Sequence, residues 1–151
     1  MMPRMRPDPG ISGKSAIVTG GSRGIGRAIS LLLAAEGADV TFFYRGNAAA
    51  ADAVVAEGGA AGHTIAALQV DIRDSKACAA AVEGIAERCG RIDILVNNAA
   101  IFVLKGLDGT PEDWRAALDV NVMGPALVAK HVVPEMRKVG EWILRVLRSA
   151  D

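Results

Sequence analysis

Apolar residues along this chain follow two alternating patterns, short continuous runs and longer periodic stretches. Runs of strand length occur at residues 14–19, 39–44, 65–70 and 92–97. Between them lie stretches whose apolar residues recur every three to four positions, which is the period of an α-helix. These stretches predict helices over residues 24–36, about 47–57 and 75–89. The second helix should stop at Gly58-Gly59.

A fourth helix is predicted from the stretch TPEDW. Thr110 is a suitable N-cap, Pro111 suits the first helical position, and the two acids that follow favour the positive end of the helix dipole. The pattern continues to about Lys138. Gly124-Pro125 and Pro134 should bend or interrupt this helix.

Strands that alternate with helices and are apolar on both faces indicate an α/β fold with a covered parallel sheet. Right-handed crossovers then give a Rossmann-type doubly wound sheet with about four strands in the order 3-2-1-4. We expect residues 1–13 to form a flexible leader, residues 14–138 a Rossmann half-domain and residues 139–151 a divergent tail.

Composition and charge exclude several other classes of protein. The 151 residues are 51% hydrophobic and 23% charged, as in a globular domain. The 17 basic and 17 acidic residues balance, so no nucleic-acid partner is predicted. Consecutive apolar residues nowhere approach the roughly 20 of a membrane span, and the N-terminus has no apolar core of the kind a secretion signal needs. We therefore expect a cytoplasmic protein.

Both cysteines of the chain belong to the predicted third helix. Cys78 and Cys89 share one helix face with Val82 and Ile85. This stripe favours core thiols over a disulfide or a metal site. Neither histidine has a neighbouring cluster of ligands, so no metal site is predicted.

The stretch TGGSRGIG at 19–26 joins the first strand to the first helix. Gly20, Gly24 and Gly26 follow the spacing Gly-x-x-x-Gly-x-Gly. Glycine permits positive φ values, lets a pyrophosphate approach the backbone, and lets a helix start tight against the sheet with free N–H groups aimed at the anion. Taken alone, the motif also fits a purely structural turn.

Three further motifs follow this loop in order: VDI at 70–72, ILVNNAA at 94–100 and NVMG at 121–124. Together with TGGSRGIGRAI at 19–29, they resemble the short-chain dehydrogenase/reductase family, and most of all its NADPH-dependent 3-oxoacyl-carrier-protein reductases. The resemblance covers about residues 12–138 and implies hydride transfer between a nicotinamide dinucleotide and a carbonyl or alcohol. Ala100 departs from the family, in which glycine is more frequent there.

The resemblance also implies roles for individual residues. Asp71 would bind the adenine amino group, and Ile72 would supply a backbone contact. Asn97 and Ala99 would line the ribose side, and Asn121 would hold a water in a proton relay. The predicted cofactor-binding residues are Gly20, Ser22, Arg23, Gly24, Ile25, Gly26, Tyr44, Arg45, Asp71, Ile72, Asn97 and Ala99.

The end of the second strand bears on the choice between NADP and NAD. A site that prefers NAD places an acid there to bind the ribose 2′-hydroxyl, whereas this chain has Tyr44 followed by Arg45. Arg23 in the glycine loop adds a second guanidinium, and arginine can bind a 2′-phosphate bidentately. Either arginine alone fits an ordinary surface residue; together, with the acid missing, they favour NADP(H) over NAD(H).

The family's catalytic serine and Tyr-x-x-x-Lys pair are not found in these 151 residues. Tyrosine and lysine at that spacing share one helix face, but here the single tyrosine, Tyr44, is followed four residues later by Ala48. Ser149 has no tyrosine partner. Asn121 remains as a relay residue, although its place on an apolar helix face also fits a hydrogen-bonded core amide.

The sequence departs from the family after VVPEMRKVG at 132–140, and EWILRVLRSAD at 141–151 fits either a helix or a strand. We therefore expect a truncated or frame-disrupted family member. Its fourth strand would become a sheet edge unless the tail covers it, and this edge and the fourth helix would promote self-association. Three functions stay open: an oxidoreductase by ancestry that cannot catalyse as given, a catalytically silent dinucleotide-binding module, and a non-functional product.

Overall fold

A computed structural model describes residues 10–140 and 143–146. Its strands are β1 (Ser15–Thr19), β2 (Asp39–Tyr44), β3 (Ile65–Gln69), β4 (Ile94–Asn97) and β5 (Ile143–Val146). Its helices are α1 (Gly24–Ala35), α2 (Ala48–Ala60), α3 (Ser75–Cys89), α4 (Pro111–Leu118) and α5 (Gly124–Val139). A 3-10 turn spans Gly106–Asp108, and a π-helical turn, Asp119–Met123, joins α4 to α5.

The strands pair in parallel in the order β3-β2-β1-β4-β5. This confirms the predicted Rossmann-type α/β fold and the order 3-2-1-4 of its first four strands. β5 was undecided between helix and strand, and it pairs with β4 in a register that sets Ile143 beside Ile94. The described tail residues therefore cover β4, which is one of the two outcomes that the sequence left open.

Neighbouring residues along the central strands face opposite helix layers, and both faces are buried. Ile17 and Leu95 pack with α3 and α5, whereas Val18 and Val96 pack with α1 and α2. A strand buried on both faces needs apolar residues at consecutive positions. This double burial is the physical reason for the continuous apolar runs in the sequence.

Helix α2 does not stop at Gly58-Gly59, as the sequence had suggested, but continues to Ala60. A Cβ atom on Gly58 would lie 2.4 Å from Cγ2 of Ile65, so the glycine lets α2 pack closely against β3. The glycines cost helix propensity of roughly 1 kcal/mol each, and the packing outweighs it. The helix ends instead before Gly62, whose φ of +79° is left-handed.

The start of α4 confirms the predicted cap. The Thr110 hydroxyl accepts a hydrogen bond from Asp113 N–H, the Asp113 carboxylate accepts one from Thr110 N–H, and Pro111 occupies the first turn. The predicted bend before Gly124-Pro125 is the π-helical turn, whereas Pro134 lies within α5 without ending it.

The helical segment 111–139 is long enough, and with a mean hydropathy of 1.2 apolar enough, to cross a membrane. The sequence analysis did not anticipate such a segment. Val128, Val132 and Met136 are fully buried in the cluster that also contains sheet residues Ile17 and Leu95. These residues pack one face of the segment against the sheet.

The predicted thiol stripe lies in the core. Cys78, Val82 and Ile85 are buried together, and Cys89 is partly buried against the same cluster. Burial, followed by the negative charges of nearby carboxylates, raises the pKa of Cys78 to about 11. The Cys78 thiol is therefore protonated at neutral pH.

The chain ends fall partly outside the description. Residues 1–9 of the predicted leader, and 141–142 and 147–151 of the predicted tail, lie outside the described residues. Residues 10–13 form a turn in which Gly13 N–H donates to Gly37 O at 2.9 Å. Ile11 packs against the core cluster on the α1 and α2 side.

Candidate functional site

The glycine loop leads from the carboxyl end of β1 into α1. Gly20 and Gly24 have φ values of +71° and +53°, which are left-handed conformations that favour glycine. A Cβ atom on Gly26 would lie 2.2 Å from the carbonyl oxygen of Gly20. Glycine at position 26 therefore allows α1 to start directly against the loop.

Asn98 attaches this loop to the end of β4. Its side-chain Nδ2 donates to the carbonyl oxygens of Thr19 and Gly20, at 3.0 and 3.1 Å. In the opposite direction, Thr19 Oγ1 accepts from the backbone N–H groups of Asn98 and Ala99, at 3.0 and 3.1 Å. The predicted site residue Ala99 thus lies against the glycine loop, whereas Asn98 and Thr19, which make these contacts, were not predicted as site residues.

Helix α1 begins without a side-chain cap. Its N-cap residue is Arg23, which has no acceptor atom, whereas Asn47, Asp74 and Thr110 cap α2, α3 and α4 with side-chain oxygens. The Cβ position of Gly24 has no atom within 4 Å among the described residues. Uncapped N–H groups beside open space at a helix N-terminus can bind an anion.

Ser22 and Ile25 complete the predicted loop. Ser22 is half-buried and Ile25 is exposed, and both stand between glycines of the same turn. The structure thus brings the six predicted loop residues together at the carboxyl end of β1.

Two basic residues of the predicted site are exposed near this edge. Tyr44 is half-buried at the end of β2, and Arg45 and Arg23 are exposed without an ion pair to any described residue. The carbonyl oxygen of Arg45 accepts from Gln69 Nε2 at 2.9 Å, which fixes the backbone after β2. Both guanidinium groups are thus available to a phosphate in the structure as described.

Asp71 follows β3 and is held by Arg73. Arg73 Nε lies 2.9 Å from Asp71 Oδ1, and Nη2 lies 2.5 Å from Oδ2. These hydrogen bonds, with a smaller contribution from the charge of Arg45, lower the pKa of Asp71 to about 2. Ile72 is buried, and its side chain fills the space beside Gly124 at the start of α5.

Asn97 and Asn121, the two remaining predicted residues, lie in different surroundings. Asn97 is 2% exposed, and neither Oδ1 nor Nδ2 has a hydrogen-bond partner among the described residues. Asn121 lies in the π-helical turn, where its side chain bonds the backbone of Ile101 in the loop after β4. Its amide is therefore committed to this loop.

An open cavity of about 610 Å³ adjoins the ends of β3 and α4. All but one of the residues that line it carry a charge: they are Asp71, Arg73, Asp74, Ser75, Lys76 and Asp119. Asp74 caps α3, and Ser75 Oγ lies 3.0 Å from Nε2 of His131 on α5. Because Asp71 lines this cavity and is also a predicted site residue, the cavity adjoins the candidate site.

Residues 14–143 match the short chain dehydrogenase family, and the chain belongs to that family. The 3-oxoacyl-[acyl-carrier-protein] reductase FabG of Staphylococcus aureus is 39% identical over 124 residues, which are 82% of this chain and 50% of the reductase. The match confirms the predicted family.

Solved structures agree in fold. A short-chain dehydrogenase from Burkholderia cenocepacia in complex with NADP is 45% identical with a TM-score of 0.76, over 83% of this chain and 52% of that one. A 7α-hydroxysteroid dehydrogenase complexed with NADH and 7-oxo glycochenodeoxycholic acid is 34% identical with a TM-score of 0.86, over 92% and 54%. The chain spans about half the length of the relatives it matches.

Proposed function

We propose that this chain binds a nicotinamide dinucleotide at the carboxyl edge of its sheet. The observation that carries the proposal is the start of α1, which lacks a side-chain cap and faces open space at Gly24. A pyrophosphate placed there would accept hydrogen bonds from the free N–H groups and favour the positive end of the helix dipole. Ser22, Ile25 and Gly26 would form the rest of this cradle.

The adenosine half would extend across the ends of β2 and β3. We assign the adenine amino group to Asp71 and a backbone contact to Ile72. Tyr44 and Arg45 would border the ribose. Relatives carry either cofactor, because the Burkholderia dehydrogenase is bound to NADP and the hydroxysteroid dehydrogenase to NADH.

The preference for NADP(H) over NAD(H) is proposed from charge. Arg23 and Arg45 have no ion pair with a described residue, and no acid stands at position 44. A 2′-phosphate would neutralise this positive charge, and a bidentate guanidinium contact would add hydrogen bonds. The 2′-hydroxyl of NAD(H) is uncharged, so it would neither neutralise the two arginines nor make a bidentate, charge-assisted contact with them.

On the basis of the family relationship, we propose NADP(H)-linked reduction of a carbonyl or oxidation of an alcohol as the reaction. The bound cofactor would supply the hydride chemistry. This chain contributes the cradle and Asn121, which holds the loop at Ile101 close to the end of β4. Since Tyr-x-x-x-Lys does not occur in the 151 residues, we propose that they bind the dinucleotide without catalysing at the family's rate.

Two alternatives have different consequences. A catalytically silent binding module would fold and bind dinucleotide as a regulatory or partner subunit. A non-functional product would fail to fold stably. We favour the binding function because Asn98 hydrogen-bonds the glycine loop and, separately, Arg73 orders the Asp71 carboxylate.

We also propose that the chain self-associates and that it is cytoplasmic. Helix α4 and the π-helical turn present Trp114, Leu118, Val122 and Met123, each about half exposed or more. Exposed apolar patches of this kind mark association surfaces. The edge of β5 would be a second such surface.

Titration of the purified chain with NADPH, followed by nucleotide fluorescence, tests the binding function, and NADH is the comparison ligand. We expect tighter binding of NADPH. Arg45→Ala and Arg23→Ala should each weaken the binding of NADPH about tenfold, because charge-assisted hydrogen bonds are lost. The affinity for NADH should stay nearly unchanged. Arg115→Ala is the matched control, because Arg115 pairs with Glu112 on the exposed side of α4.

Three results would decide against parts of the proposal. A folded chain that binds neither nucleotide contradicts the binding function. Equal affinity for NADPH and NADH contradicts the cofactor preference alone. An aggregated or unfolded chain supports the non-functional alternative.

A further inference from the structure

We infer that Arg73 is a positioning residue that fixes the Asp71 carboxylate to accept the exocyclic amino group of adenine, and so makes the site specific for an aminopurine. This inference rests on the proposed dinucleotide function. It assigns a specificity role to a side chain that stands outside the glycine loop.

Three donors of one residue hold both oxygens of Asp71. Arg73 Nε donates to Oδ1 at 2.9 Å, Nη2 donates to Oδ2 at 2.5 Å, and the Arg73 backbone N–H donates to Oδ1 at 3.0 Å. The planar guanidinium matches the plane of a carboxylate, so a two-point contact fixes its rotation as well as its place. Asp71 is thereby held in one orientation before any ligand arrives.

The hydrogen bonds leave Asp71 able to accept more. A carboxylate oxygen has about two acceptor positions; Oδ1 receives the backbone N–H and Nε, whereas Oδ2 receives Nη2 and a longer contact of 3.2 Å from Nε. The Asp71 side chain is 33% exposed and lines the open cavity at the end of β3. Because Nε lies closer to Oδ1 than to Oδ2, it occupies Oδ1, and Oδ2 keeps one acceptor position for a further donor from the cavity side.

The ionised Asp71 carboxylate presents only acceptors to the cavity. With a pKa of about 2, the carboxylate is ionised at any pH at which the chain would be assayed, and it has no proton to donate. Adenine presents an amino donor at C6, whereas hypoxanthine presents a carbonyl acceptor at the same place. A fixed acceptor therefore favours adenine and repels hypoxanthine, and a site that hydrogen-bonds a donor rejects an analogue lacking it strongly.

The test compares NADPH with reduced nicotinamide hypoxanthine dinucleotide phosphate, which carries a carbonyl in place of the amino group at C6 and a proton on the neighbouring N1. Both are titrated by dihydronicotinamide fluorescence into the whole chain and into Arg73→Ala, Arg73→Lys and the control Arg115→Ala. We expect the original chain to prefer NADPH at least tenfold. Arg73→Ala should lower the ratio of the two affinities by about tenfold, mostly by weakening the binding of NADPH. Arg73→Lys should keep part of the preference.

A second variant separates positioning from other roles. In an Asp71→Ala background, the adenine preference should be lost and Arg73→Ala should change nothing further, because coupled residues are not additive. Thermal unfolding of each variant shows whether the fold is kept.

Each contrary result has a separate meaning. Equal weakening of both nucleotides by Arg73→Ala, through lost stacking or a disturbed loop, overturns the inference and leaves the binding function intact. An unchanged affinity ratio in Arg73→Ala also overturns the inference and leaves the binding function intact. If the original chain binds neither nucleotide, the proposed function fails and the inference fails with it.

Discussion

The side chain of Asn121 makes two hydrogen bonds to the backbone of Ile101. Oδ1 accepts from Ile101 N–H at 2.9 Å, and Nδ2 donates to Ile101 O at 2.7 Å. The asparagine thus imitates a neighbouring strand and ties the π-helical turn to the loop after β4. The side-chain amide of Asn121 is therefore occupied by this contact.

We predict that Asn121→Ala loosens the loop after β4. Loss of both hydrogen bonds from a solvent-exposed site should lower the free energy of unfolding by about 1 kcal/mol. Faster amide hydrogen exchange at Ile101 would show the local opening. Asn121→Asp keeps the acceptor but sets an anionic oxygen against the Ile101 carbonyl oxygen, so its exchange should be at least as fast as that of Asn121→Ala. Unchanged exchange in Asn121→Ala would contradict the assigned role.

The second prediction concerns Gly26. Gly26→Ala should destabilise the fold by roughly 1–3 kcal/mol, because the added Cβ meets the carbonyl oxygen of Gly20 at 2.2 Å. Gly84→Ala is the control: Gly84 lies in α3 with no atom within 4 Å of its Cβ position, so alanine there should stabilise by about 0.5–1 kcal/mol. Urea denaturation measures both. Two substitutions of the same sign and size would contradict the packing argument.

The fold was largely predictable because its elements are encoded locally. Burial on both faces of β1 and β4 gives apolar runs, and the caps Asp74 and Thr110 mark helix starts. The end of α2 was not predictable, since Gly58 serves a contact with Ile65 that no local pattern reveals.

The site was predictable in outline but not in its contacts. Successive residues point in opposite directions at a strand end, so NNAA alone cannot tell which asparagine reaches the glycine loop. The structure shows that Asn98 does so, while Asn97 is buried. The bond between Arg73 and Asp71 was likewise invisible, because it depends on the turn after β3.

The third prediction concerns Asp93 at the opposite end of the sheet. Its side chain is fully buried, and its carboxylate accepts from Ser15 N–H at 2.9 Å and from Arg91 Nε at 2.8 Å. Asp93→Asn should lower the free energy of unfolding at pH 7 by about 2 kcal/mol, because hydrogen bonds to a charged group are lost. Asp52→Asn, at an exposed position on α2, should have almost no effect. Equal effects would contradict this prediction.

The same carboxylate predicts how stability depends on pH. Burial by itself would raise the pKa of Asp93, but hydrogen bonds from Arg91 and Ser15 outweigh it and lower the pKa below its ordinary value. Stabilisation by Asp93 is therefore complete above the unfolded pKa of about 3.9 and is lost as pH falls through the lower folded value. The difference between the original chain and Asp93→Asn should shrink below pH of about 4 in urea titrations. A difference that grows on acidification would show the opposite sign.

The fourth prediction tests the exposed face of α4. Leu118→Ser should weaken self-association without loss of folding, because Leu118 is 59% exposed beside Trp114. Leu32→Ser is the control, since Leu32 is 57% exposed on α1 in the other helix layer. Sedimentation velocity over a range of concentrations compares the two. If Leu118→Ser and Leu32→Ser self-associate equally, α4 does not belong to the association surface.

The attachment of the glycine loop to the middle of the sheet has a consequence for how the domain tolerates change. Thr19 belongs to β1, which has β2 and β3 on one side and β4 and β5 on the other. Asn98 bonds the loop to the end of β4, the strand with which β5 pairs. The glycine loop is thus attached to two inner strands, β1 and β4, and we expect the geometry at Gly20 to stay the same when the outermost strand is exchanged.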